Sequence, residues 1–303
     1  MHHPFVSIIV PVYNGEKTIA ECIESLLAQD YPKDRYESII VDNNSSDRTA
    51  EIIKKYSVKY LLEDKIQSSY AARNRGIKEA KGELLAFTDA DCVATEGWLR
   101  EATHGFTDDQ VGCVAGEIKG FAPSNHVEEY LVERNCLSQK HTLNHSFLPY
   151  PQTANAFYRK DVFMRVGLFE EGWISGGDAD LAWRMQMETA YKLKYIPEAL
   201  IFHRHRSNLK SLFRQRKTWG YGNVLLYKKY RKNMGKRRLK ELYWEYAHIF
   251  RLFDIFLKEV FLKLRKESQD DVEYKKALLD LVASLGFKMG RLKGSLLEGC
   301  LYL

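Results

Sequence analysis

Residues 5–15 read FVSIIVPVYNG. The run from Phe5 to Tyr13 is apolar and β-branched, too short for a buried helix, and closed by the pair Asn14-Gly15, which predicts a buried strand and a turn. Working outward, a helix is expected over Glu16–Gln29, and the unit then repeats. Strand Ser38–Asp42 is followed by a Ser/Asp-capped helix Asp47–Tyr56, strand Val58–Leu62, helix Ser68–Ala80 and strand Glu83–Thr88. Alternation on this scale implies an α/β fold whose mostly parallel central sheet is flanked by helices and joined by right-handed crossovers. Ligands of such sheets lie beyond the carboxyl ends of the strands. Those ends carry Tyr13-Asn14, Asp42-Asn43-Asn44 and Asp89-Ala90-Asp91, polar in every case.

Past a helix over Trp98–Phe106 the pattern loosens. A strand is expected at Val111–Gly120, a helix at Asn125–Lys140, a strand at Thr153–Tyr158, a short helix at Lys160–Val166 and a helix at Asp178–Thr189 that opens at Gly176-Gly177. A last strand, Lys194–His203, brings His203 and His205 to its end, with the two side chains facing opposite ways. Beyond Ser207 the pattern is long helices without a convincing strand, so residues 1–206 are expected to form the α/β domain and 207–303 a basic, amphipathic helical extension.

With 303 residues, 45% of them hydrophobic, the chain can bury a full core. Its net charge of +6 is unevenly spread, since every charged residue from Ser207 to Lys240 is Lys or Arg. That asymmetry points to an anionic partner. The basic run lacks a nucleic-acid reading motif, so no nucleic acid is expected. Five widely spaced cysteines without a C-x-x-C pair argue against a disulfide framework or a zinc site. No apolar run reaches the roughly 18 residues of a bilayer span. A cytoplasmic protein is expected, with peripheral contact at a membrane surface.

Two carboxylates one residue apart after a buried strand, Asp89 and Asp91, repel each other unless a cation neutralises them. A divalent metal bound by carboxylate and a substrate diphosphate removes that cost, and Mn²⁺ or Mg²⁺ suits oxygen ligands. The alternative is a solvated, helix-capping pair. Asp42 can accept an N–H from a nucleobase or cap the helix at Asp47. Arg73 and Asn74 lie where a helical cation can face phosphate or simply face solvent. Asp178 and Asp180 sit at a helix N-terminus that favours their ionised form, as a general base or as caps.

The segments SIIVPVYNGEKTIAECIESLLAQ, IIVDNNSSDRTAEI, AARNRGIKEAKGELLAFTDADC, NAFYRKDVFMRVGLFEE and GGDADLAWRM, in this order, resemble family 2 glycosyltransferases of the GT-A fold, over about Phe5 to His205. The resemblance implies an inverting, metal-assisted transfer of a sugar from a nucleotide-diphosphate sugar, with UDP-sugars expected, to a hydroxyl of a glycan or lipid-linked acceptor. It implies that Pro11, Tyr13 and Asp42 hold the base with Asn14 and Asn44 beside them, that Arg73, Asp89 and Ala90 face the rest of the nucleotide sugar, and that Asp91 ligates the metal. His203, ahead of His205, would be the further metal or phosphate ligand. Asp178 would be the base and Asp180 its supporting neighbour. Gly177 stands where the family usually has Glu. Thr218, in Gln215-Arg216-Lys217-Thr218-Trp219, stands where processive members carry Arg, which argues against a polymer synthase. Trp173, Asn155 and Trp219 are assigned to the acceptor, with a loop anchor as the other role for Trp173.

In the extension, Leu242, Tyr246, Phe250, Phe253, Leu257, Phe261 and Leu264 recur at helical spacing, with Arg251, Lys258, Lys263 and Lys266 elsewhere on the helix. Such a stripe packs on the protein body or on a second copy in a homodimer, or lies on an anionic membrane. Two rival functions remain open from sequence. A sugar nucleotidyltransferase would carry a Gly-rich basic loop after the first strand, and PVYNGEKTI lacks one. A catalytically inactive nucleotide-sugar binding protein would not need both Asp89-Ala90-Asp91 and Asp178.

Overall fold

The computed structural model describes residues 3–235, 239–265 and 272–302, and at 239, 241 and 242 the backbone alone. The Leu242 side chain and Lys266 of the expected amphipathic stripe therefore lie outside the described residues. The chain forms two compact units, one of Met1–Phe121 with Leu137–Arg204 and the other of Ala122–Cys136 with His205–Leu303. The segment Ala122–Cys136, inside the expected 1–206 domain, thus groups with the later helices.

In chain order the elements up to residue 203 are β1 (Val6–Val12), α1 (Ile19–Leu27), β2 (Tyr36–Asp42), α2 (Thr49–Ile53), β3 (Lys59–Leu62), α3 (Ser69–Glu79), β4 (Leu84–Thr88), β5 (Cys92–Ala94), α4 (Trp98–His104), β6 (Val111–Gly120), α5 (His126–Glu133, in the second unit), α6 (Gln139–Leu143), β7 (Asn155–Arg159), α7 (Lys160–Val166), α8 (Gly177–Glu188) and β8 (Lys192–His203). One sheet runs in the order β3-β2-β1-β4-β7-β6-β8-β5. Strands β1 to β4 are mutually parallel, β7 runs against both of its neighbours, β6 and β8 are parallel, and β5 reverses against β8. The sheet is mostly parallel, as expected, with β7 and β5 as its reversals.

All seven residues of β1 are buried, which is why its sequence is a continuous apolar run rather than an alternation. Helix α1 buries Ile19, Cys22, Ile23 and Leu26 on one face. Helix α3 has little amphipathic pattern and reaches the sheet through Gly76, where a Cβ would fall 2.5 Å from Ile9 Cγ2. That close approach seats Tyr70 and Arg73, both buried, beside the strands. Around them Phe87, Tyr158, Phe163 and Phe169 interlock, with the Phe87 and Phe169 rings 5.7 Å apart and edge to face.

Three local expectations change. The first helix starts at Ile19, because the Gly15 carbonyl accepts from both Thr18 N and Ile19 N and holds the intervening residues in a turn. The single helix expected over Asn125–Lys140 breaks into α5 and α6, since Asn135 adopts a left-handed φ of 47° that ends the first piece and Ser138 caps the second. The last strand ends at His203, so His205 is not on it.

The second unit holds α5, α9 (Leu209–Met234), α10 (Leu239–Leu264) and α11 (Val272–Glu298). Helices α9 and α11 meet backbone to backbone. A Cβ at Gly220 would lie 2.0 Å from the Phe287 carbonyl oxygen, and one at Gly290 2.0 Å from that of Lys217. Gly286, Gly290 and Gly294 recur every fourth residue and form this seam on one face of α11. Tyr130 and Arg134 of α5 both bind the Asp280 carboxylate of α11. On α10, Leu252 is buried, whereas Phe250, Phe253, Leu257, Phe261 and Leu264 of the expected stripe are exposed. Among the described residues no helix is long and apolar enough to cross a membrane.

Candidate active site

The parallel register brings β1 and β2 to the same level, with Val12 opposite Asp42. Asp42 is buried; its Oδ1 accepts from Ser45 N at 2.9 Å and its Oδ2 from the Tyr60 hydroxyl at 3.3 Å. It caps the turn at Ser45, while Asp47 itself accepts from Thr49 N at the start of α2. Asn14 and Asn44 hold left-handed φ angles of 50° and 63°, which asparagine tolerates better than most residues. The Asn14 amide oxygen accepts from Ser46 N, and Ser45 Oγ accepts from Asn14 N, so the loops after β1 and β2 are tied together. Pro11 is inside β1, and Tyr13 just beyond it is 52% exposed at the strand ends.

One strand along, Asp89 follows β4 and pairs with Arg73 of α3, with Nη2 2.5 Å from Oδ1. The Arg73 guanidinium is buried and lies 5.6 Å from the centre of the Tyr70 ring. Removal from water raises the Asp89 carboxyl pKa; Arg73 and His203 oppose the rise, and the charges of Asp91 and Asp178 add to it. Ala90 separates the two acids and is half-buried. Strand β5 begins directly after Asp91 and pairs Cys92 with His203. This short pairing puts His203 Nε2 3.4 Å from Asp91 Oδ1. Asp91, Cys92 and His203 offer ligand atoms that all lie within 4.8 Å of one another. Burial, together with the nearby Asp91 and Asp89 charges, holds the Cys92 thiol protonated. The remaining Asp91 carboxylate is the kind of oxygen donor that suits Mn²⁺ or Mg²⁺, and the His203 imidazole sets a nitrogen donor beside it.

Asp178 stands in the first turn of α8, after Gly176 with φ of 89°. Its Oδ1 accepts from the Tyr70 hydroxyl at 2.8 Å, and its Oδ2 from Thr153 N at 3.0 Å and Thr153 Oγ1 at 3.3 Å. Thr153 is delivered by β7, whose Asn155 pairs with Thr88 at the end of β4. Arg73, Asp89, Asp91, Asp178 and His203 thus converge at one edge of the sheet. Neither Tyr70 nor Thr153 was singled out from sequence, although Tyr70 lies three residues before Arg73 in the same helix.

Other expected site residues have partners of their own. Asp180 is fully buried and paired with Arg184, 2.9 Å away. Arg184 in turn donates to the carbonyls of Val166, Gly167 and Leu168, so this ion pair fastens the turn after α7. Asn155, expected at the acceptor, is fully buried and its amide is consumed within the sheet. It accepts from Trp98 Nε1 at 2.8 Å and donates to the Glu117 and Ala199 carbonyls, also at 2.8 Å. Trp173 packs against the core as a loop anchor, its carbonyl accepting from Ser68 Oγ. Trp219 belongs to α9 in the second unit, with the Arg216 guanidinium 4.8 Å over its ring.

A sheet edge with a carboxylate–imidazole pair, a buried arginine and a braced carboxylate brings together the groups that can hold a cation and an anionic ligand. The glycosyl transferase family 2 model matches residues 7–167. Glycosyltransferase AglE of Haloferax volcanii is 36% identical over 207 residues, 66% of this chain and 67% of that protein. A probable glycosyltransferase of Bacillus subtilis, YdaM, is 24% identical over 84% of this chain and 63% of its own length. This chain therefore spans about two thirds of the length of these relatives. Among solved structures, the Pyrobaculum calidifontis mannosyltransferase in complex with GDP-Man and Mn²⁺ aligns over 99% of this chain and 77% of that one, at a TM-score of 0.61 and 20% identity. Residues 1–349 of Staphylococcus aureus TarS, in complex with UDP-GlcNAc, align over 99% and 93% at a TM-score of 0.54 and 17% identity. The chain belongs to glycosyl transferase family 2 and has the GT-A fold; it is a glycosyltransferase.

Proposed function

We propose that the chain transfers a sugar with inversion from a nucleotide-diphosphate sugar, a UDP-sugar before others, to a hydroxyl of a glycan or lipid-linked acceptor. The observation that carries this reading is the Asp178 carboxylate, held on both oxygens at the same sheet edge as Asp89 and Asp91. Tyr13 stacks on the base and Asp42 accepts its ring N–H, with Pro11, Asn14 and Asn44 shaping the loops around them. Arg73, Asp89 and Ala90 face the ribose and diphosphate. Arg73 Nε is buried without a hydrogen-bond partner among the described residues, which leaves a donor for an anionic ligand. Asp91 and His203 would hold Mn²⁺ or Mg²⁺, which when bound supplies charge stabilisation for the departing diphosphate. Asp178 takes the proton of the acceptor hydroxyl as its oxygen bonds to the anomeric carbon, and the nucleoside diphosphate leaves with the electrons of the broken bond. One structural neighbour holds GDP-Man with Mn²⁺ and another UDP-GlcNAc, which supports a nucleotide-sugar donor used with a divalent metal.

Thermal melting with a panel of UDP-, GDP- and dTDP-sugars, with and without Mn²⁺, tests the donor class. A ligand held at 100 times its Kd stabilises by about 2.7 kcal/mol. We expect a metal-dependent rise in melting temperature with a UDP-sugar that GDP-sugars do not match. A rise with no donor, or one independent of Mn²⁺, contradicts the reading.

The helical extension is proposed to rest on an anionic membrane and to present a lipid-linked acceptor. Residues 207–303 contain 22 Lys and Arg against 10 Asp and Glu. The exposed Phe250, Phe253, Leu257, Phe261 and Leu264 offer an apolar face on α10 in the same positively charged segment. Flotation with liposomes rich in anionic phospholipid should carry the protein, and neutral liposomes or high salt should release it. No flotation, with a dimer in solution instead, would assign that face to a second copy.

A further inference from the structure

We infer that Tyr70 is the positioning residue of the base, its hydroxyl fixing the one oxygen of Asp178 that remains open to take a proton. This rests on the reading of Asp178 as the general base. The phenol is buried and stacks on Phe169, with ring centres 5.5 Å apart and planes within 21°. Its oxygen accepts from Gly177 N at 2.9 Å and lies 2.8 Å from Asp178 Oδ1. A tyrosine hydroxyl has a single proton, and with the Gly177 amide already donating to it, that proton is directed at Asp178. Burial, and then the Asp178 charge, raise the pKa of the phenol and keep it a donor.

The lone pairs then distinguish the two carboxylate oxygens. Oδ2 accepts twice, from the backbone and the hydroxyl of Thr153, and among the described residues Oδ1 accepts only from Tyr70. Each carboxylate oxygen has about two acceptor sites, so Oδ1 retains one, and it is the oxygen Tyr70 orients. The residue before Asp178 is part of the same device. A Cβ at position 177 would fall 2.6 Å from Tyr70 Cζ and within 3 Å of both adjacent ring carbons. Glycine there is what lets the phenol reach under the helix N-terminus, and it accounts physically for the absence of a larger residue.

Tyr70→Phe keeps the stacked ring and removes only the hydroxyl. We measure kcat and KM for Mn²⁺-dependent UDP release from a UDP-sugar with water as acceptor, in wild type, Tyr70→Phe and Gly177→Ala. A hydrogen bond to a charged group is worth about a 10- to 100-fold change. We therefore expect kcat to fall by about that factor in Tyr70→Phe, with KM for the donor within about twofold because the hydroxyl acts on the base and not on the nucleotide. Gly177→Ala, which pushes the ring away by a different route, should show the same split. A packing role alone would change the melting temperature or KM and leave kcat in place. Unchanged kcat in either folded variant overturns the assignment of Tyr70. A wild type that releases no UDP overturns the proposed UDP-sugar reading on which the assignment rests, so the two failures are told apart.

Discussion

Asp178→Asn is expected to lower turnover by about a hundred- to ten-thousandfold, the range attributed to a positioned general base, while donor affinity stays within about twofold. The replacement is isosteric. Its amide oxygen can still accept from Thr153 N, and its NH₂ can lie against the Tyr70 oxygen, so the start of α8 should keep its structure. What disappears is an oxygen able to take a proton from the acceptor. The groups proposed to face the donor, Arg73 with Asp89 and Asp91 with His203, are paired with each other and make no direct bond to Asp178 among the described contacts. Calorimetric titration with UDP separates binding from turnover. A variant that loses both equally would move Asp178 to the donor side of the site.

Asp91→Ala should remove the metal dependence of donor binding. Loss of an outer-shell partner alone costs about 10- to 100-fold in metal affinity, and the loss of a ligating carboxylate should cost at least that. His203 would remain near its place, because the pairing of β5 with β8 is made by backbone atoms. The buried imidazole by itself offers a metal one nitrogen and no negative charge. Titration of UDP into wild type should therefore show much tighter binding with Mn²⁺ than without, and the variant should show the weaker value in both conditions. Equal metal enhancement in the two proteins would show that Asp91 is not the ligand.

The first half of the sheet was legible because β1, β4 and the later part of β2 are buried parallel strands and so read as continuous apolar runs. The ends of β1, β2 and β4 carried their polar residues in plain view. The site was less legible where chemistry depends on pairing across distant segments. β5 is three residues long and has no signal of its own, yet it is what brings His203 to Asp91. Thr153 reaches Asp178 only through the antiparallel pairing of β7 with β4. Asn155 and Asp180 have residue types suited to a site, and nothing in the sequence reveals that their polar atoms are consumed by Trp98, Glu117 and Ala199 in one case and Arg184 in the other. The break at Asn135 was hidden for a similar reason. Asparagine is common enough inside polar helical stretches that neither its left-handed φ nor the bonds from Ser138 and Gln139 to Glu117 can be read from the sequence.

The exposed stripe on α10 is the reverse case, since its helical period was legible and its partner was not. Packing against the protein itself is the usual fate of such a stripe, but among the described side chains of α10 the buried one is Leu252, which lies outside it. The glycines of α11 went unremarked because Gly in a helix normally signals weakness. Here the spacing of Gly286, Gly290 and Gly294 allows the close approach of α9.

The most direct test of the account is the rate of UDP release from a UDP-sugar in the presence of Mn²⁺, measured side by side for the wild type and Asp178→Asn. The account predicts release by the wild type that falls by about a hundredfold or more in the variant while both still bind UDP. Equal rates from the two proteins would contradict it.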